Sequence, residues 1–177
     1  MSAWPPWPLD QPALLTRYVQ TGVVRALLPA ELARRLPGPG AGSRLERVRS
    51  LYEVLAARKV RYVREPSMSR AGQQDIRPPD QVLARPGEGS CVDLALTFAG
   101  MCLDAGLHPL IAQLGSTRPG DAGHALVIVW LGGDWQARPA ADYPLRGASL
   151  ATAPRDLLDD LRAVEDEPGA FLAVDVT

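Results

Sequence analysis

The chain has 177 residues and a mass of 19.0 kDa, enough for one domain with its own hydrophobic core, and 46 % hydrophobic with 22 % charged residues is a globular composition. With 19 basic and 20 acidic residues the formal net charge is −1, so neither the electrostatic footprint of a nucleic-acid binder nor a polybasic membrane patch is present. Nowhere do about 18 uncharged apolar residues run together as a membrane span requires, and "MSAWPPWPLD" lacks the charged start and apolar run of a signal peptide, so a cytoplasmic location is expected.

Taken in chain order, "WPPWP" is extended or polyproline-like, because consecutive prolines fix φ and remove donors, and it reads as a tail or surface strap. Two short helical patterns follow between Gln11 and Leu36, interrupted by Pro29. "PGPGAGS" then breaks the chain, dividing residues 1–43, a tail with short helices, from a core at 44–177. Leu45, Val48, Tyr52 and Leu55 recur at helical spacing and predict an amphipathic helix from Arg44. "KVRYVREP" is short and β-favouring, and it enters a Pro, Gly and Gln rich loop reaching Pro86. Structureless loops of such length are uncommon in compact domains unless they serve a site.

From Cys91 to about Gly106 the chain reads as a buried helix. "PLIAQL" and "HALVIVWL" then read as a hairpin at the centre of a sheet. A segment at about 135–169, with a helix opening at Pro154, stands as an insertion before the last strand candidate, "FLAVDVT". The expected fold class is α+β, helices first, with the Cys91 helix packed on an antiparallel sheet.

Ser90 and Asp93 form an S-x-x-D capping pattern that makes Cys91 the first helical residue. A thiol placed there meets free backbone N–H groups and the positive end of the helix dipole, both of which favour the thiolate. Cys102 is eleven residues on, about 16 Å along the helix, too far for a disulfide, and sits among Phe98 and Met101 as core filler. His124 opens an otherwise apolar strand and is the candidate general base; His108, after the helix end, supports the turn. The third member should orient the imidazole. Asp175, a carboxylate inside an apolar strand, is preferred over Asp142 and Asp134, which lie in turn-like sequence where aspartate is ordinary. A metal site built from Cys91, His124 and Asp175 lacks the paired spacing of zinc ligands, so no metal or cofactor is expected.

G-x-C at a helix start, "AGL" with a following proline, G-H-A opening a later strand and a terminal V-D-x-T together resemble the transglutaminase-like cysteine hydrolases. The resemblance covers about Val48 to Thr177 and is greatest to members carried in large multidomain bacterial proteins, so the chain is expected to work within a larger protein or complex. It implies a papain-like α+β core with Cys91 as nucleophile, His124 as base and Asp175 as orienting acid. It also implies a peptide or protein substrate whose amide acyl group passes through a Cys91 thioester. An upstream glutamine, Gln73, Gln74 or Gln81, would complete the oxyanion hole. The 135–169 insertion departs from the simplest members, in which the His and Asp strands are adjacent, and leaves Asp142 as the competing acid. The alternative is a catalytically silent module of the same fold that binds a peptide or protein partner.

Overall fold

The computed structural model describes residues 4–38, 41–64, 72–114, 123–132 and 171–177, and the protein is α+β. The opening segment forms a short strand, β1 (Trp7–Pro8), followed by a 3-10 helix at Pro12–Tyr18. Two helices come next, α1 (Val23–Leu27) and α2 (Pro29–Arg35). Pro29 interrupts the pattern as expected: α1 ends at Leu27, and Pro29 opens α2 as a separate helix, where its missing N–H leaves nothing unpaired. Then come α3 (Arg44–Ala56), β2 (Arg61–Tyr62), β3 (Gln73–Gln74), α4 (Pro79–Val82) and β4 (Glu88–Gly89). The chain completes its described part with α5 (Cys91–Asp104), β5 (His108–Leu114), β6 (His124–Trp130) and β7 (Phe171–Val174).

Every residue of α5 from Cys91 to Cys102 is buried, because the helix is covered by α1, α3 and α4 and lies on β5 and β6. Gly100 permits the closest of these contacts. A Cβ there would stand 2.2 Å from the Gln20 carbonyl oxygen, so the N-terminal segment crosses α5 only over a glycine. Asp104 fastens the same crossing, its carboxylate accepting from the Gly22 N–H at 2.8 Å.

The main sheet is antiparallel in the order β5-β6-β7. The expected hairpin is β5–β6, in register from His108 opposite Trp130 to Leu114 opposite His124. Along β6 the residues Ala125, Val127 and Val129 are fully buried, at the 2-residue period of one sheet face. β7 adds at the other edge with Val127 opposite Val174 and Trp130 opposite Phe171, whose rings meet edge to face at 4.7 Å. The His and Asp strands are thus adjacent; the 135–169 insertion, with the helix expected from Pro154, lies outside the described residues.

Three expectations are revised. The α3 stripe is rotated: Val48, Leu51, Val54 and Leu55 are buried, whereas Leu45 and Tyr52 are exposed, since the helix is held between α2 and α5 rather than on one partner. The long loop before Cys91 is not structureless, because Pro79 starts α4 and Ile76, Val82 and Leu83 are buried beneath it. The Trp-Pro opening is a strap with an anchor: Trp7 is fully buried, its indole N–H donates to the Gln11 carbonyl at 3.1 Å, and β1 pairs antiparallel with β3. Trp7, Leu15, Tyr18, Val24, Leu28 and Leu32 therefore share one buried cluster with α5.

Trp7→Ala should accordingly cost about 3–5 kcal/mol and lower the midpoint of thermal unfolding by roughly 10 °C. Circular dichroism melts would show this; an unchanged midpoint would mean that the strap does not fold with the domain.

Candidate active site

Cys91 owes its position to a capping box. The Ser90 hydroxyl accepts from the Asp93 N–H at 3.3 Å and the Asp93 carboxylate accepts from the Ser90 N–H at 2.9 Å, so α5 begins at the cysteine. The box leaves the N–H groups of Cys91 and Val92 at the helix opening without an acceptor inside the helix. Asp93 is fully buried, and a buried carboxylate is tolerated only when its oxygens are satisfied. Arg77 supplies the remaining donors, its backbone N–H at 2.8 Å and its guanidinium at 2.9 Å. One carboxylate therefore ties the loop of residues 75–90 to the helix start.

At the sheet, His124 Nε2 and the Asp175 Oδ2 are 3.0 Å apart. Extending the Val127–Val174 pair by one step sets Asp175 opposite Leu126, and His124 lies two residues along that same face, within diagonal reach. The other carboxylate oxygen accepts from the Thr177 hydroxyl at 2.7 Å and its N–H at 3.0 Å. Partial desolvation pushes the Asp175 carboxyl up, but the two Thr177 bonds and then the His124 ring outweigh it and hold the group below its ordinary 3.8. The stability these contacts contribute is complete above the ordinary value and is lost only as pH falls through the lowered one, so Asp175 is ionised at neutral pH.

The Cys91 thiol, with 6 % of the residue exposed, donates to the carbonyl of Gly123 at 3.9 Å. Gly123 is the residue before His124, so the helix start and the histidine strand meet at the sulfur. Cys102 is fully buried, and burial pushes its thiol up to about 12. His108 sits at the opposite end of the hairpin from His124, six residues or about 20 Å along the strand, and is not part of the site. Asp134 and Asp142 lie outside the described residues. Among the described residues no group of three or more His, Cys, Asp or Glu side chains is placed to hold a metal ion.

Of the three glutamines, Gln74 alone reaches the helix start. β3 is held by β1 with Gln74 opposite Trp7, and the Gln74 amide donates to the Ser90 hydroxyl at 3.4 Å. Gln73 and Gln81 are exposed.

A residue that sequence reasoning passed over is Tyr62. β2 runs parallel to β4 with Tyr62 opposite Gly89, two residues before the cysteine, and the Val63 N–H donates to the Gly89 carbonyl at 3.0 Å. Burial raises the phenol above its ordinary value, and the Cys91 sulfur beside it, as charge and as hydrogen-bond partner, raises it further, so Tyr62 is a protonated donor at neutral pH. The only signal for it was the β-favouring run "KVRYVREP"; nothing local identified its strand partner.

Comparison with protein-family models, with curated proteins and with solved structures finds no match to this chain. No helix among the described residues is long and apolar enough to cross a membrane.

Proposed function

We propose that this domain is a cysteine hydrolase or acyl transferase of amides, with a papain-like core of the transglutaminase-like kind, working through a Cys91 thioester. The reading is carried by one observation: a His–carboxylate pair closed at 3.0 Å stands one residue from the carbonyl that contacts the sulfur at a helix N-terminus.

In this reading Asp175, through Nε2, leaves Nδ1 of His124 to serve the thiol. The Cys91 thiolate attacks the carbonyl carbon and a C–S bond forms. The Cys91 N–H and the Gln74 amide stabilise the oxyanion, while Tyr62 donates to the sulfur in the resting state. As the C–N bond breaks, His124 passes its proton to the departing amine. Water, deprotonated by the same ring, then cleaves the thioester; a second amine in place of water gives transfer.

The test is acylation by p-nitrophenyl acetate, an activated ester that asks nothing of substrate recognition. A burst of p-nitrophenolate, with the acetyl group mapped to Cys91 by mass spectrometry, is expected. Steady release without an adduct at Cys91 would favour the silent binding module.

A further inference from the structure

Beside the nucleophile lies a cleft of about 190 Å³, walled by Tyr52, Leu55, Val60, Leu94 and Val176. It is continuous with the site through three residues. Leu94 is one helical turn beyond Cys91, which sets their Cβ atoms about 5–6 Å apart. Thr177 lines the cleft and bonds Asp175, and Tyr62 lines it while its strand pairs with Gly89, two residues before the nucleophile. Tyr52 and Tyr62 keep 41 % and 47 % of their surface in solvent, large aromatic faces that no part of the described chain covers. An apolar cavity of about 150 Å³ suffices for benzene, so this cleft accommodates a phenylalanine side chain.

Lys59 completes the lining, and it is the only lysine in a chain whose other basic residues are all arginine. Its backbone is left-handed, with φ of 52°, a conformation that long side chains seldom adopt. It closes α3 by donating its N–H to the Ala56 carbonyl at 3.1 Å, and it forms no ion pair among the described residues. An exposed cation thus stands at the rim of the cleft, forming no ion pair with any carboxylate of the described residues, the α-carboxylate of Thr177 in the same lining included.

We propose that the cleft receives the leaving group of the reaction: an amino acid with a phenylalanine-sized apolar side chain and a free carboxylate, as at a peptide C-terminus. The side chain lies on the apolar wall and the carboxylate pairs with Lys59. This rests on the acyl-transfer reading above. The substrate is an N-acylated apolar amino acid; attack by Cys91 forms the C–S bond, the C–N bond breaks, His124 protonates the nitrogen and the free amino acid leaves the cleft.

The test separates binding from chemistry by using the Cys91→Ala protein, N-acetyl-phenylalanine and its uncharged carboxamide, with ¹H–¹⁵N shift titrations as the readout. Saturable shifts are expected at Val60, Leu94 and Val176, with the carboxylate form bound about two- to fivefold more tightly than the carboxamide. Ala56→Trp, which fills the cleft from its exposed rim, should weaken both by about tenfold or more. Lys59→Asn, a residue that tolerates positive φ, should make the two equal. Shifts elsewhere, or undiminished binding in Ala56→Trp, would overturn the assignment of the cleft. Binding as expected in a protein whose wild type never acetylates at Cys91 would instead overturn the hydrolase reading and leave the cleft standing.

Discussion

Replacing Cys91 by alanine is expected to abolish acyl transfer, whereas Cys102→Ala should keep it near the wild-type level. The two thiols share a helix but not an environment. Cys91 stands at its first position beside the Gly123 carbonyl, where the N–H groups of the helix start have no acceptor inside the helix and favour negative charge on the sulfur. Cys102 is fully buried, with its thiol pushed up to about 12, and offers no thiolate at neutral pH. Cys91→Ala removes a small side chain from a helix start whose capping box does not involve it, so the variant should fold and the loss is chemical. Burst amplitude with an activated ester measures it, and a full burst in Cys91→Ala would remove the nucleophile assignment.

Asp175→Asn should leave the domain folded and lower turnover by a factor on the order of 10³–10⁴. The asparagine can still accept from Thr177 through its carbonyl, but an amide N–H₂ turned toward His124 Nε2 demands an acceptor there and so fixes the ring in the wrong tautomer. In the proposed mechanism the imidazolium that accompanies the Cys91 thiolate would also lose its counter-charge. The side chain is more than half exposed, so the effect belongs to turnover rather than to stability. Asp142→Asn should be near wild type in kcat; the reverse ranking would put the acid in the 135–169 segment.

The candidate site was partly legible because its signals are local. A capping box is written in four consecutive residues, and Ser90 and Asp93 announced the helix start at Cys91. The histidine opening an apolar strand and the aspartate interrupting another both stood out against their neighbours, and the structure closes that pair at 3.0 Å. What escaped is held by pairings distant in sequence. Trp7 supports Gln74 across a gap of 67 residues, and Tyr62 reaches the cysteine only through a two-residue parallel bridge to β4. Neither leaves a periodic trace, and the prolines around Trp7 read locally as breakers rather than as a strand. The α3 stripe was misplaced for a related reason: spacing shows that a helix has an apolar face, but which of Leu51 and Tyr52 it includes depends on the neighbours. Asp93 was read as a cap alone, since its second partner, Arg77, lies in the preceding loop.

The most direct measurement is the rate of Cys91 alkylation by iodoacetamide at pH 6.5, compared between wild type and His124→Gln, both in a Cys102→Ala background. Glutamine approximates the volume of histidine without its basicity, so access to the sulfur is preserved while the base is lost. If His124 and Asp175 activate the thiol, the wild type should react at least about tenfold faster than the glutamine variant. Equal rates in the two proteins would contradict a Cys91–His124–Asp175 catalytic unit.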